Sequence, residues 1–404
     1  MKFYFYIFIY FSFLISTGFY PDFSTIIFEG ENLTQPFLGG FNKPKIQWLD
    51  WDNDNDDDLF LLDEDGKIKF FRNNGYNEEN FNFVLEETAF NGFENISWFY
   101  FEDFDNDSDY DIITQNPENF STMVYYQNID NEFMMMDIVL TIDGMPVESD
   151  PVMTPTFADI DNDGDLDFFT GNTVGTITFY ENLGYINDMP SYELMTNFWQ
   201  ELYIVGSSFN QRHGASAISF MDLDNDTDLD LAWGDYFQQS LYIIWNEGDQ
   251  NFPNMDNENV LQQFPQETPV FTAGQNMPTF SDIDLDGDQD LFVTVLSGAF
   301  GYQLKNNFIY YEKQDDFIYR KSNFIETFDL LSDINPEFAD IDFDGDLDLL
   351  IGTDFDPSSF PWHGSIVFFE NIGLDENQEP IWSLENDNLI EIESNNLCPV
   401  LADI

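Results

Sequence analysis

Residues 157–171 read FADIDNDGDLDFFTG. Asp159, Asp161, Asp163, Asp165 and Asp167 fall on every second position, Gly164 interrupts them, and Phe168 and Phe169 follow at once. Carboxylates this close repel one another strongly in a compact loop, so a cation is needed to offset them. A hard divalent ion suits an all-oxygen ligand set. With Asp159 as position 1, side-chain oxygens sit at positions 1, 3, 5 and 9. The carbonyl of Asp165 is available at position 7, and Gly164 at position 6 permits a sharp turn.

The first half of this stretch resembles an EF-hand loop, but position 12 is Thr170 and a short apolar strand follows in place of a helix. Asp167 therefore closes the loop between two strands. The same spacing recurs five more times: Asp50, Asp52, Asp54, Asp56 and Asp58; Asp103, Asp105, Asp107, Asp109 and Asp111; Asp222, Asp224, Asp226, Asp228 and Asp230; Asp282, Asp284, Asp286, Asp288 and Asp290; and Asp340, Asp342, Asp344, Asp346 and Asp348. A seventh copy begins at Leu401-Ala402-Asp403-Ile404. Regular recurrence of this kind marks a repeat architecture. The thirty aspartates of the complete copies are the metal-ligand candidates, and calcium, up to six ions, is the expected cofactor. Magnesium fits less well, because it prefers a stricter octahedron with more retained water.

At 404 residues and 43% hydrophobic content, the chain can bury a large core. Its formal charge is −67, from 78 acidic and 11 basic residues, which excludes nucleic acid as a partner. Phe occurs 46 times, a bias that favours strands over helices. Cys398 is the only cysteine, so a disulfide framework is excluded. It is expected to be an inert core residue.

Met1–Gly18 has one Lys, a short apolar run and then small residues, the layout of a secretory signal peptide. Residues 19–404 are expected to form one domain, exported to the outside or the cell surface, with no membrane span in the mature chain. Sequons at Asn32, Asn95 and Asn119 fit that reading, and two more, at Asn106 and Asn225, lie inside acidic loops. Units begin near residues 46, 99, 155, 218, 278 and 336, with a truncated one near 399. In each, a short strand leads into the acidic loop and a second strand, apolar on both faces, leaves it. A third strand ends in an Asn and Gly turn, as in Glu181-Asn182-Leu183-Gly184, and a less regular fourth strand closes the unit. Four antiparallel strands in each of six or seven units is the arithmetic of an all-β propeller. The irregular inserts are Met134–Pro155, Asn187–Arg212 and Asn251–Gln275.

FADIDNDGDLDFFTG, FSDIDLDGDQDLFVT and FADIDFDGDLDLLIG, with GTITFYENLG and GSIVFFENIG, resemble FG-GAP or VCBS-type repeats. That family builds the calcium-binding propeller of integrin alpha subunits. The resemblance implies a seven-bladed β-propeller of four-stranded blades, with one ion in the hairpin between the first two strands of a blade. On that count the seventh blade is incomplete here, holding Phe23–Phe28 and the strand begun by Pro399. The family's functions range from adhesion receptors and lectins to polysaccharide-cleaving enzymes, so fold alone does not name one.

His213 and His363 lie outside any metal-ligand spacing and are expected to serve in loops or packing. No Ser, His, Asp set and no phosphate-cradling loop can be assembled. The expected role is recognition or adhesion toward an extracellular protein or glycan, not enzymatic. The alternative is a polysaccharide lyase or glycosidase on the same fold, for which eleven Lys and Arg offer little charge to neutralise uronates. Trp199, Tyr236, Trp362 and Trp382 are candidates for a binding face. Because the acidic loops hardly vary between units while the inserts differ, binding is expected on the rim opposite the loops.

Overall fold

The computed structural model describes residues 25–401, apart from 29–30, 34, 36–37, 78–79, 150–153, 187–188, 205–215, 332, 358–359, 361, 376–379 and 391. The expected signal peptide, His213 and residues 402–404 of the seventh acidic copy lie outside the described residues.

The second strand of each unit organises its sheet. These strands are Asp58–Leu62, Asp111–Gln115, Asp167–Gly171, Asp230–Asp235, Asp290–Val295 and Asp348–Gly352, and every residue in all six is buried. Two covered faces need apolar residues at odd and even positions alike, which sequences such as DLFLL and DLFVTV supply. Each pairs antiparallel with the strand before its acidic loop and the strand after it. In the third unit, Phe157 lies opposite Phe168, Phe168 opposite Tyr180, and Asn182 opposite Tyr192. Six sheets result, mostly of four antiparallel strands, in a propeller-like arrangement.

Aromatic contacts join consecutive sheets. Phe60 meets Phe101 at 4.5 Å, Tyr100 meets Phe157 at 4.7 Å, and Phe169 meets Phe220 at 4.6 Å between ring centroids. Ala232, Ile243, Leu291 and Val293 share the cluster between the fourth and fifth sheets. The first sheet then packs on the fifth: Trp48 lies 4.5 Å from Phe292 and edge-on to Phe324 at 5.7 Å. The innermost strands of these five sheets line one axial cavity of about 210 Å³, with Trp48, Tyr100, Phe157, Phe220 and Phe280 in its wall.

The sixth sheet stands beside this ring. Its core (Ile26, Leu349, Ile351, Val367, Phe369 and Trp382) contains no residue of the first or fifth sheet. A cavity of about 390 Å³ lies between Phe308 of the fifth sheet and Val367 of the sixth. Here the expectation of seven blades changes. The described residues form six sheets, and Thr25–Phe28, expected in a seventh, instead pairs parallel with residues 381–383 of the sixth. Hydrophobic periodicity places a strand but not the sheet edge it joins.

The inserts are only partly irregular. Met134–Pro155 begins within the strand Glu132–Ile138, and Asn187–Arg212 contains the strand Pro190–Thr196. In the fourth unit no fourth strand forms among the described residues; an irregular segment covers that edge through Leu261, which exchanges backbone hydrogen bonds with Ile243. Two candidate surface aromatics, Trp199 and Trp382, are core residues at 4% and 7% exposure, whereas Trp362 is 59% exposed. Cys398 is exposed, not buried.

Neighbouring sheets approach so closely at Gly234 that a Cβ there would lie 1.6 Å from the Asn276 carbonyl oxygen. That oxygen belongs to a strand and cannot swing away. Gly234→Ala is therefore expected to lower stability by about 1–3 kcal/mol through forced backbone displacement, read as a drop in melting temperature.

Candidate metal centres

Each acidic loop is wound around its own carboxylates. The position-1 aspartate accepts a hydrogen bond from the position-6 amide: Asn55 to Asp50 at 3.1 Å, Ser108 to Asp103 at 3.0 Å, Gly164 to Asp159 at 3.1 Å, Thr227 to Asp222 at 2.9 Å and Gly287 to Asp282 at 3.1 Å. The position-5 carboxylate accepts from the position-7 amide in all six loops, as in Asp165 to Asp163 at 3.0 Å. The backbone thus folds inward and gathers the side chains at positions 1, 3 and 5. One oxygen from each lies within 4.8 Å of the others in Asp50, Asp52 and Asp54; in Asp103, Asp105 and Asp107; in Asp159, Asp161 and Asp163; and in Asp282, Asp284 and Asp286. In the fourth loop the gathered set is Asp222, Asp224 and Asp230.

The winding needs two residues at positive φ. At position 6, Asn55, Ser108, Gly164, Thr227, Gly287 and Gly345 have φ between 75° and 106°. Position 4 is also left-handed in every loop: Asn53, Asn106, Asn162 and Asn225, then Leu285 at 61° and Phe343 at 66°. Asn tolerates this region and β-branched or bulky side chains do not. The sequence reading anticipated position 6 and missed position 4, although four asparagines at one place in the repeat were a usable signal. Asn106 and Asn225, which match the sequon pattern, are there for this turn.

Position 9 does a different job. Asp58, Asp111, Asp167, Asp230, Asp290 and Asp348 are buried at the start of the second strands. Each accepts a backbone amide from the third strand or the turn beside it: Asn73 at 2.7 Å, Asn128 at 2.8 Å, Asn182 at 2.8 Å, Asn246 at 2.8 Å, Lys313 at 2.7 Å and Asn371 at 3.1 Å. Several of these asparagines also work in the reverse direction. The Asn182 amide donates to the Leu166 carbonyl at 3.1 Å, and its side-chain oxygen accepts from Gly184 at 3.0 Å. The recurring Asn-x-Gly turn is therefore a staple between the third strand and the exit of the loop, a role sequence reading did not assign.

Several carboxylate oxygens are left buried with no hydrogen-bond partner: Oδ1 of Asp56, Asp109, Asp161, Asp228, Asp282, Asp340 and Asp346, and Oδ2 of Asp58 and Asp167. Position 7 thus turns a side-chain oxygen inward at Asp56, Asp109, Asp228 and Asp346, where only its carbonyl was expected to serve. Burial, and after it the neighbouring aspartates, pushes Asp56, Asp109 and Asp228 up to about 6. At position 9, burial outweighs the amide donors and raises Asp58, Asp111, Asp230 and Asp290 to about 7 and Asp167 to about 8. Buried oxygens without donors, in sets that disfavour their own ionisation, fit a hard cation. The first loop differs, because the Arg72 guanidinium pairs with Asp52 and also with Glu86 at 2.7 Å, supplying part of the positive charge itself.

Residues 50–114 match the family model of the FG-GAP-like repeat. The matched stretch runs from the first acidic loop through the second, and the other loops repeat its geometry. No curated protein matches the chain. A crystal structure of a protein described as an oxidoreductase (glucose dehydrogenase), from Thermus thermophilus, is similar over 65% of this chain and 93% of that chain. Identity is 11% and the TM-score 0.29, values that carry no argument about function.

Thr227 holds φ 81° with a β-branched side chain, and Phe343 holds φ 66° with an 88% exposed ring. Such residues cost about 1–3 kcal/mol each. Glycine gives back roughly 0.5–1 kcal/mol of that through the unfolded chain. Thr227→Gly is accordingly expected to stabilise by about 1 kcal/mol and to tighten cation binding at the fourth loop, as should Phe343→Asn at the sixth. Paired melting and metal titrations check both, and no gain in either variant would remove the strain argument.

Proposed function

We propose that this chain is an exported, calcium-stabilised propeller that serves as a recognition or adhesion module for an extracellular protein or glycan, and not as an enzyme. One observation supports the metal reading above the rest: one loop, built six times, turns inward carboxylate oxygens that no protein donor satisfies. Calcium suits sets of this size and flexibility better than magnesium does. The ions act structurally. Each joins the two strands of a hairpin on one rim and lies behind the latch that ties the third strand to the second.

Support for recognition comes from where variation sits. The acidic loops are nearly uniform, whereas the segments after the third strands differ in length and regularity between units. Among the described residues no helix is long and apolar enough to cross a membrane. Asn95 and Asn119, two of the sequon asparagines expected to carry glycans, are exposed.

Extracellular calcium modules bind with Kd of about 10⁻⁴–10⁻³ M. A site held at about 100 times its Kd adds about 2.7 kcal/mol to folding stability. Calcium is therefore expected to raise the melting temperature of chelator-treated protein steeply over the millimolar range, with more than one ion bound per chain. Magnesium at equal concentration should do less. A melting curve indifferent to calcium would sink the metal reading; a protein and glycan array probed with and without calcium tests recognition.

A further inference from the structure

A cavity of about 690 Å³ opens at the ends of the strands away from the acidic loops. Its wall combines the starts of innermost strands (Lys45, Ser97, Gln275) with the ends of second strands (Leu62, Tyr236, Leu296). Each acidic loop joins the other ends of these two strands. The cavity therefore lies on the opposite rim, and its size is that of a small-ligand site.

Its charges are unusual for this chain. The Lys43 ammonium is engaged by Glu64 at 2.6 Å. Asp63 accepts the amide of Asn42 at 2.9 Å on one oxygen and that of Lys43 at 2.7 Å on the other. Lys45 is half-buried in the wall, and its Nζ donates to the Ser97 carbonyl. Among the described residues no carboxylate pairs with it, in a protein with 78 acidic side chains. Its ammonium is held by a backbone carbonyl and not by an ion pair, and it borders the cavity, whose wall also contains Asp63 and Glu64. The remaining wall offers two tyrosines, Tyr236 and the 61% exposed Tyr302, and the polar turn Ser297 to Gly301. An ammonium and two tyrosines in the wall of one cleft suit a compact anion with an apolar face.

We propose that this cavity is a binding site for a small carboxylate ligand, with Lys45 as its anion-recognising residue and Tyr236 and Tyr302 as the surface its body rests on. The proposal deepens the recognition role above and rests on it. Burial, with the Lys43 charge adding and Asp63 opposing, lowers Lys45 to about 8. Lys43, Asp63, Glu64, Tyr236 and Tyr302 are the titratable groups that face it. A bound carboxylate favours the ammonium, so affinity is full below that value and falls as Lys45 loses its proton above it.

The test is calorimetric titration of the full, calcium-saturated protein with D-glucuronate, succinate and neutral D-glucose. Saturable binding of a carboxylate without binding of glucose is expected, weakened about tenfold or more in Lys45→Met, and likewise between about pH 7 and about pH 9.5 in the unaltered protein. Lys67→Met, which removes a lysine outside the cavity, should bind as the unaltered protein does. Glucuronate alone would assign the tyrosines a ring-recognising part; both acids binding would assign the site to the carboxylate itself. The proposal is overturned if no carboxylate saturates, if glucose matches them, or if affinity ignores both Lys45→Met and pH. Should Lys45→Met fail to fold, the pH profile and Tyr302→Ala decide. An array ligand that still binds Lys45→Met would leave the recognition reading standing and remove only this site.

Discussion

A buried carboxylate at the first residue of every second strand is the constraint on which the sheets depend. Asp58, Asp111, Asp167, Asp230, Asp290 and Asp348 sit where a charge is expensive, at the boundary between an acidic loop and an apolar core. The cost is offset by a backbone donor from the third strand, and that donor is where it is because the third strand is in register. One aspartate therefore closes the loop, starts the strand and fixes the register of the next. In the second and fifth units a tyrosine adds to the latch: Tyr125 donates to Asp111 at 2.6 Å and Tyr310 to Asp290 at 3.2 Å.

The two ends of each hairpin are thereby given different work. At the loop end, backbone geometry is repeated closely enough that positive φ recurs at the same two positions six times. Tolerance for sequence change is small there, because the turn and the carboxylate cluster use the same residues. At the other end the strands need only stop, and the connections are free to differ in length and chemistry. Lys45 and the tyrosine-lined cavity belong to that end.

Much of this was legible in the sequence because period-two aspartates and period-two strands leave local signals. The loops, the doubly buried second strands and the need for a turn residue at position 6 all follow from close neighbours in the chain. Less local facts were not readable. The pairing of Thr25–Phe28 with residues 381–383 depends on which sheet edge is open, and no spacing encodes that. The burial of Trp199 and Trp382 follows from packing between distant segments, since an aromatic suits a core and a binding face equally well. The asparagine staple was visible as a motif but read as a turn, because its second partner is a carbonyl far back along the chain, as with Asn182 and Leu166.

The contact between Trp48 and Phe292 joins residues 244 positions apart, as 292 − 48 gives. Hairpins around the acidic loops involve neighbours and can form early, whereas this joint must wait until five units have been made and brought round. The entropy of closing so long a loop grows only slowly with length, but the search it imposes is slow. Until it is complete, the faces of the first and fifth sheets that carry Trp48 and Phe292 are open to water and to other chains. The order of assembly is thus written into the fold: local, charge-rich turns first, and the aromatic seam between the first and fifth sheets last.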